Sequence, residues 1–299
     1  MLVNIAVYWR KKQEKAVTLL LMSLQIASLN SGSNGNCYYI GNETEAVLVD
    51  AGISCRETEK RMKRLGLSIE KVKAIFISHE HGDHIMGLTA ISRKYRTQVY
   101  ITPNTLAESR LPLDEELVIP FKPNETIRIG GLSITNFPKF HDAVDPYSFV
   151  ISSNSVNVGV FTDIGKVCKQ VTRHFQQCHA VFLEANYDET MLENGRYTQH
   201  LKNRIRGGQG HLSNNQALQL FLEHRPPFMT HLLLSHLSKN NNDAELVATL
   251  FAKHAANTEI IIASRYQESE VYQINATHFS SPQLAKKKAQ KKSDQLSLF

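Results

Sequence analysis

The run His79-Glu80-His81-Gly82-Asp83-His84 packs three imidazoles and two carboxylates into one short segment where a hydrophobic core has no use for them. Residues 74–78 (Ala-Ile-Phe-Ile-Ser) before it read as a buried strand. Residues 85–95 after it carry apolar side chains at 85, 88 and 91, a helical spacing. The cluster is therefore expected where a strand ends and a helix starts, the usual place for ligands in a layered α/β fold. Gly82 is expected to let the backbone bend, so that His79 and His81 converge on one point and Asp83 and His84 on another.

Neutral imidazole and carboxylate are ligands of borderline divalent metals such as zinc, manganese and iron. Two such ions side by side can hold a bridging hydroxide at neutral pH and neutralise charge building on a tetrahedral or phosphoryl transition state. A two-metal site needs about three more ligands from other loops. His141, Asp163 and His236 are the candidates, because each follows a predicted strand, and a carboxylate at 163 would bridge the ions. Any one of them alone would read as an ordinary surface or core polar residue.

Strand and helix patterns alternate along the chain. Strands are expected at 23–29, 37–40, 46–50, 74–78 and 98–102, with hairpins over 126–137 and 148–163. Further strands are expected at 180–184, 230–235, 259–263 and 271–274. Helices are expected at 55–67, 85–95, 214–224 and 244–255. The implied architecture is α/β, two packed sheets with helices on their outer faces.

Charge sets limits on partners. The 299 residues carry a net charge of +6, but residues 1–21 hold +3 and residues 285–299 hold +4, so 22–284 carries −1. That is not a domain with a broad basic face for DNA; affinity for a polyanion must come from the site, local patches or the tail. Cys37, Cys55, Cys168 and Cys178 show no CxxC spacing, which suits reduced thiols in a cytoplasmic protein. No apolar stretch approaches membrane-spanning length. Residues 1–21 are expected to be an N-terminal extension or a misassigned start, with Met22 as a natural alternative, and residues 22–279 a catalytic domain.

The ligand pattern resembles the metallo-β-lactamase superfold. His79, His81, Asp83 and His84 resemble its HxHxDH motif, Asp50 in Leu-Val-Asp-Ala-Gly its first motif, and His141, Asp163 and His236 its later three. The resemblance implies a four-layer αββα sandwich. It also implies that His79, His81 and His141 hold one metal and Asp83, His84 and His236 the other, with Asp163 between. Asp50 would orient the HxHxDH loop from behind, and Glu184 would stand in a similar supporting position.

Within that superfold the chain is most similar to the YycJ (WalJ) family. The segments that carry the likeness are Ser31-Gly-Ser-Asn-Gly-Asn36, His141-Asp-Ala143, Leu183-Glu-Ala-Asn186, Gly210-His-Leu-Ser-Asn214 and His236-Leu-Ser238. The likeness implies a metal-dependent nuclease with exonuclease action on DNA, possible 5′ to 3′ polarity and a part in mismatch repair. His211 resembles the proton-shuttling histidine of the tRNA 3′-processing branch; a capping or packing histidine is the equal alternative. Catalysis would fall to Asp83 and His211 with two zinc or manganese ions. The rivals are a hydrolase of a small thioester, lactone or cyclic phosphodiester, and a non-catalytic clamp- or DNA-binding scaffold.

Residues 280–299 read as a solvated, disordered basic tail ending in Gln295-Leu296-Ser297-Leu298-Phe299. That ending resembles the bacterial sliding-clamp-binding motif, in which the glutamine makes polar contacts and Leu296, Leu298 and Phe299 would fill an apolar groove.

Overall fold

In the computed structural model, residues 23–276 are described. The expected N-terminal extension and the tail with Gln295, Leu296, Leu298 and Phe299 lie outside the described residues. One seven-stranded sheet runs in the order β14 (Tyr272–Asn275), β1 (Ser23–Asn30), β2 (Cys37–Gly41), β3 (Ala46–Val49), β4 (Val72–Phe76), β5 (Gln98–Ile101), β6 (Val118–Pro120). The other runs β13 (Glu259–Ile262), β12 (His231–Ser235), β11 (Ala180–Glu184), β10 (Val156–Phe161), β9 (Tyr147–Ser153), β8 (Leu132–Pro138), β7 (Thr126–Ile129).

The strands are apolar on both faces because each sheet is covered twice. In β2, Tyr38 and Ile40 enter the core between the sheets, whereas Cys37 and Tyr39 face the outer helices. The inner layer closes on aromatic contacts such as Tyr38 with Phe182, whose ring centroids are 4.9 Å apart, and Phe76 with Phe149 at 5.7 Å. Helices Cys55–Arg64 and Leu88–Tyr95 pack on the outside of the first sheet; Lys169–Phe175, Asn214–His224 and Ala244–Ala252 pack on the second. This is the four-layer α/β sandwich expected.

Strand direction gathers the site. β3, β4, β5 and β6 are parallel, as are β10, β11, β12 and β13. β8 and β10 are both antiparallel to β9, so β8 runs with β10. Asp50, His79, His141, Asp163, Glu184 and His236 thus all leave, or close, the C-terminal ends of strands running one way in their sheet, the edge where α/β folds bind ligands.

Two local expectations are corrected. The helix expected at 85–95 is broken: a single turn, Gly82–Ile85, precedes Leu88–Tyr95. The break sits at Gly87, whose amide donates to the Ala51 carbonyl at 2.8 Å and whose missing Cβ would lie 2.0 Å from the Ile53 carbonyl oxygen. Gly82 is also not the flexible joint anticipated. It opens the helical turn without left-handed backbone, and a Cβ there would meet nothing within 4 Å. The bend arises instead at His81, extended at φ −60° and ψ 143°, where the helix begins.

The steric demand falls on Gly52, where a Cβ would lie 1.7 Å from the Asp83 carbonyl oxygen and 2.5 Å from the Asn36 amide. Gly52→Ala is therefore expected to lower unfolding free energy by about 1–3 kcal/mol or more, whereas Gly82→Ala changes it by under about 0.5 kcal/mol, as read by denaturant titration.

Candidate metal centre

Each site imidazole has one ring nitrogen held from outside by an oxygen acceptor, apart from His81. The Nδ1 of His84 donates to Asp50 Oδ2 at 2.8 Å. Ser78 Oγ donates to the same oxygen at 2.9 Å and so accepts from His79 Nδ1 at 2.8 Å. His141 Nδ1 donates to the Gly210 carbonyl at 2.9 Å, and His236 Nδ1 to Glu184 Oε1 at 3.1 Å. With Nδ1 occupied, Nε2 of all four points inward, the arrangement that fixes tautomer and aim in imidazole metal ligands.

The inward atoms form two clusters. His79 Nε2 and His141 Nε2 lie 3.1 Å and 3.4 Å from His81 Nδ1. Asp83 Oδ2 lies 3.5 Å from His84 Nε2 and 3.4 Å from His236 Nε2. Asp163 stands between: its Oδ2 is 3.3 Å from His84 Nε2, and its Oδ1 is 3.9 Å from His141 Nε2 and 3.5 Å from His236 Nδ1. The sets His79/His81/His141, Asp83/His84/His236 and His79/His84/Asp163 each bring their ligand atoms within 4.8 Å of one another.

These residues fit divalent ions. A tetrahedral ion with bonds of about 2.0–2.1 Å keeps its ligand atoms about 3.4 Å apart, the spacing found in both clusters. Asp163 Oδ2 is also buried without a well-directed hydrogen bond, an orphan that a cation would satisfy. The structure thus brings together all seven residues singled out as candidate ligands.

Their electrostatics divide the site. Burial holds the imidazoles of His79 and His141 down, His141 to about 4, so both are neutral donors. Burial works against charge at His84 and His236 as well. There the carboxylates win: Asp163, Asp83 and Asp50 raise His84 well above its ordinary value, and Asp163, Asp83 and Glu184 raise His236 to about 10. Asp83 and Asp163, despite burial, are held below the usual carboxylate range by His84 and His236. Cations entering this half displace protons from imidazolium.

Glu184 carries more than the supporting role expected of it. Its buried carboxylate accepts from Ile164 N at 2.7 Å and Leu212 N at 3.1 Å through Oε2, and from the Nδ1 atoms of His211 at 2.7 Å and His236 through Oε1. It joins the loops that follow β10, β12 and the segment before helix Asn214–His224. That helix starts on a capping box, Ser213 with Gln216, which fixes the backbone two residues after His211. His211 lies beside Glu184 and lines the cavity over the ligands.

Several contributors escape sequence reasoning. Ser78 is the hinge between Asp50 and His79, yet a serine at a strand end carries no signal. Asn36 Nδ2 donates to Asp83 Oδ2 at 3.1 Å, and Asn186 Nδ2 to the His236 carbonyl at 2.8 Å. Both lie in segments that carry the family likeness, but asparagine alone implies no task. Buried Lys139 donates through Nζ to the Thr162 carbonyl at 2.7 Å, bracing the loop before Asp163.

A cavity of about 320 Å³ opens over the ligands, with Arg204, Tyr197 and Ser33 on its walls. Among the described residues no helix is long and apolar enough to cross a membrane.

Comparison with known proteins bears on this geometry. Residues 45–236 match the beta-lactamase superfamily domain. The chain is 33% identical over 230 residues to exodeoxyribonuclease YycJ of Bacillus anthracis, covering 75% of this chain and 86% of that protein. It is 30% identical over 237 residues to exodeoxyribonuclease WalJ of Streptococcus pneumoniae, covering 78% and 88%. In fold it matches the metallo-beta-lactamase fold protein YhfI of Bacillus subtilis, with a TM-score of 0.66, 17% identity and coverage of 84% and 99%.

Glu184→Gln tests the scaffold. A glutamine offers one oxygen where four donors converge, so it faces at least one N–H with its own amide. Affinity for zinc or manganese, read by chelator competition, should fall about 10–100-fold. Thermal melting should show the metal-dependent stabilisation of the native protein, lost on chelation, reduced in the variant.

Proposed function

The chain belongs to the metallo-β-lactamase superfamily and to its YycJ-like family, and on that premise we propose that it is a two-metal exonuclease acting on DNA. The observation that carries the proposal is the convergence of seven side chains able to ligate metal beneath an open cavity, in a chain a third identical to an exodeoxyribonuclease. His79, His81 and His141 would hold one ion and Asp83, His84 and His236 the other, with Asp163 between them. When bound, zinc or manganese supplies Lewis acidity that activates water and neutralises charge on a phosphoryl group.

The chain's own residues do the rest. Glu184 keeps the proton of His211 on Nδ1's side of the ring, so the cavity-facing Nε2 can carry and release a second proton to the leaving oxygen. Asn36 steadies Asp83, and the Asp50–Ser78 pair keeps His79 and His84 in aim. Residues 196–206, which put Arg204 on the cavity wall, carry Arg196, Lys202, Arg204 and Arg206 and no acid, with Arg204 paired to Asp142 and Arg206 to Glu193. Digestion from 5′ to 3′ on duplex DNA and a place in mismatch repair are part of the same reading, supported by the YycJ likeness.

The test offers metal-loaded protein duplex DNA, single-stranded DNA, RNA and bis(4-nitrophenyl) phosphate, with elemental analysis of protein purified without added metal. The reading expects nucleotides released from DNA ends, abolished in Asp83→Ala. Hydrolysis of the small diester with no action on any nucleic acid overturns it in favour of a small-substrate hydrolase. His211→Ala should slow DNA cleavage about 10²–10⁴-fold, yet barely affect the 4-nitrophenyl ester, whose leaving group needs no proton.

The ending Gln295–Phe299 is proposed to dock on a bacterial sliding clamp, which would raise the enzyme's effective concentration at DNA. A labelled peptide of those residues should bind purified clamp in fluorescence anisotropy, and the full chain should lose clamp binding when they are deleted. Unchanged binding after deletion removes this partner alone.

A further inference from the structure

A second cavity, of about 410 Å³, adjoins the first, and Ser238 lines both. Its walls include Lys239, Arg265 and Tyr266, none of them tied to the metal ligands. Tyr266 is 71% exposed, the most exposed large apolar or aromatic side chain among the described residues. Its ring pairs with no other aromatic ring among the described residues, and its carbonyl accepts from Arg61 Nη2 at 3.1 Å, which anchors the backbone beneath it.

Arg265 is half-buried and forms no ion pair among the described residues. One guanidinium nitrogen, Nη2, donates to Ser33 Oγ at 3.1 Å; another, Nη1, is buried with no acceptor among the described residues. A buried N–H donor without an acceptor is costly, and Ser33 itself lines the first cavity. The one carboxylate on the second cavity's wall, Asp243, is engaged as the cap of helix Ala244–Ala252, accepting from the amides of Glu245 and Leu246.

We propose that this second cavity is a binding subsite for the single-stranded nucleic acid next to the scissile bond, with a phosphate beside Arg265 and Lys239 and a base stacked on Tyr266. An aromatic platform with a cation at its side is what sequence-independent single-strand binding uses. Continuity through Ser238 puts the subsite one step from the ligand cluster. The proposal deepens the nuclease reading and rests on it for the identity of the scissile bond.

The experiment measures binding of fluorescein-labelled single-stranded DNA and RNA by anisotropy, alongside hydrolysis of unlabelled oligonucleotide and of bis(4-nitrophenyl) phosphate. Tyr266→Ala should weaken oligonucleotide binding about 5- to 100-fold, and Tyr266→Phe should restore it. Arg265→Ala should reduce the slope of log affinity against log salt by about one, and Arg265→Lys should preserve it. Hydrolysis of the small diester should stay unchanged in all four variants, which shows that the metal cluster is intact. Equal fall-off in binding of DNA and RNA marks a backbone-and-base subsite; fall-off for one alone assigns the subsite to that polymer. DNA cleavage with binding unaltered in Tyr266→Ala and Arg265→Ala overturns the subsite and leaves the nuclease reading standing. Tyr266-dependent binding without any nucleic-acid cleavage sinks the nuclease reading and keeps the subsite. Absence of both overturns both.

Discussion

Two buried carboxylates, one at the end of a parallel strand in each sheet, aim the imidazoles of His79, His84, His211 and His236. Asp50 after β3 accepts from Ser78 N, Ser78 Oγ and His84 Nδ1. Glu184 at the end of β11 accepts four hydrogen bonds from three separate loops. A buried carboxylate left unsatisfied would be prohibitively expensive, so each demands that its donors stay in place. Folding the sandwich and aligning the ligands are therefore one event. The same bonds hold Glu184 at about 2, ionised despite burial, chiefly against His211 and His236. A charged acceptor binds its donors more tightly than a neutral one, which rigidifies the constellation further.

That alignment stores backbone strain. Asp50, Asp163 and His236 all adopt left-handed backbone, with φ of 61°, 54° and 57°. Asp50 and His236 come directly after their strands and Asp163 two residues after β10. Asp and His tolerate this region better than bulkier residues, but still at a cost. Three such residues in one site, each hydrogen-bonded or paired with its neighbours, match the pattern in which strain is tolerated where geometry has a task. Gly52 plays the complementary part, since its missing side chain lets the loop after β3 lie directly against the Asp83 carbonyl.

What could be read from the sequence follows from how each signal arises. Ligand chemistry is carried by residue type, so His79, His81, Asp83, His84, His141, Asp163 and His236 stood out before any coordinates. Long periodic elements were legible too, because a buried strand such as 180–184 or a helix such as 214–224 shows its packing in its pattern. Helices of six to eight residues, Pro103–Ser109, Lys169–Phe175, Glu189–Asn194 and Gln199–Arg206, were not legible, because so few residues do not complete a recognisable period. Short β6 escaped for the same reason. The role given to Gly82 went astray because a glycine's use lies in what approaches it, and that belongs to tertiary structure. Ser78 is invisible for the same reason: its task depends on Asp50, 28 residues away, as well as on its neighbour His79.

The layout of charge explains how a nearly neutral body can still serve an anionic substrate. Asp83 and Asp163 are ionised on the floor of the first cavity, and His84 and His236, whose pKa values they raise, oppose that charge. Cations bound there would replace those protons and add positive charge, which suits phosphate. Around the floor, Arg204 lines the cavity and Arg265 stands behind Ser33, which lines it too. Arg204 is paired with Asp142, next in sequence to His141, so part of its charge is already spent on holding that loop. Of the two, only Arg265 is without an ion pair among the described residues, which leaves its charge the more available to an anionic ligand.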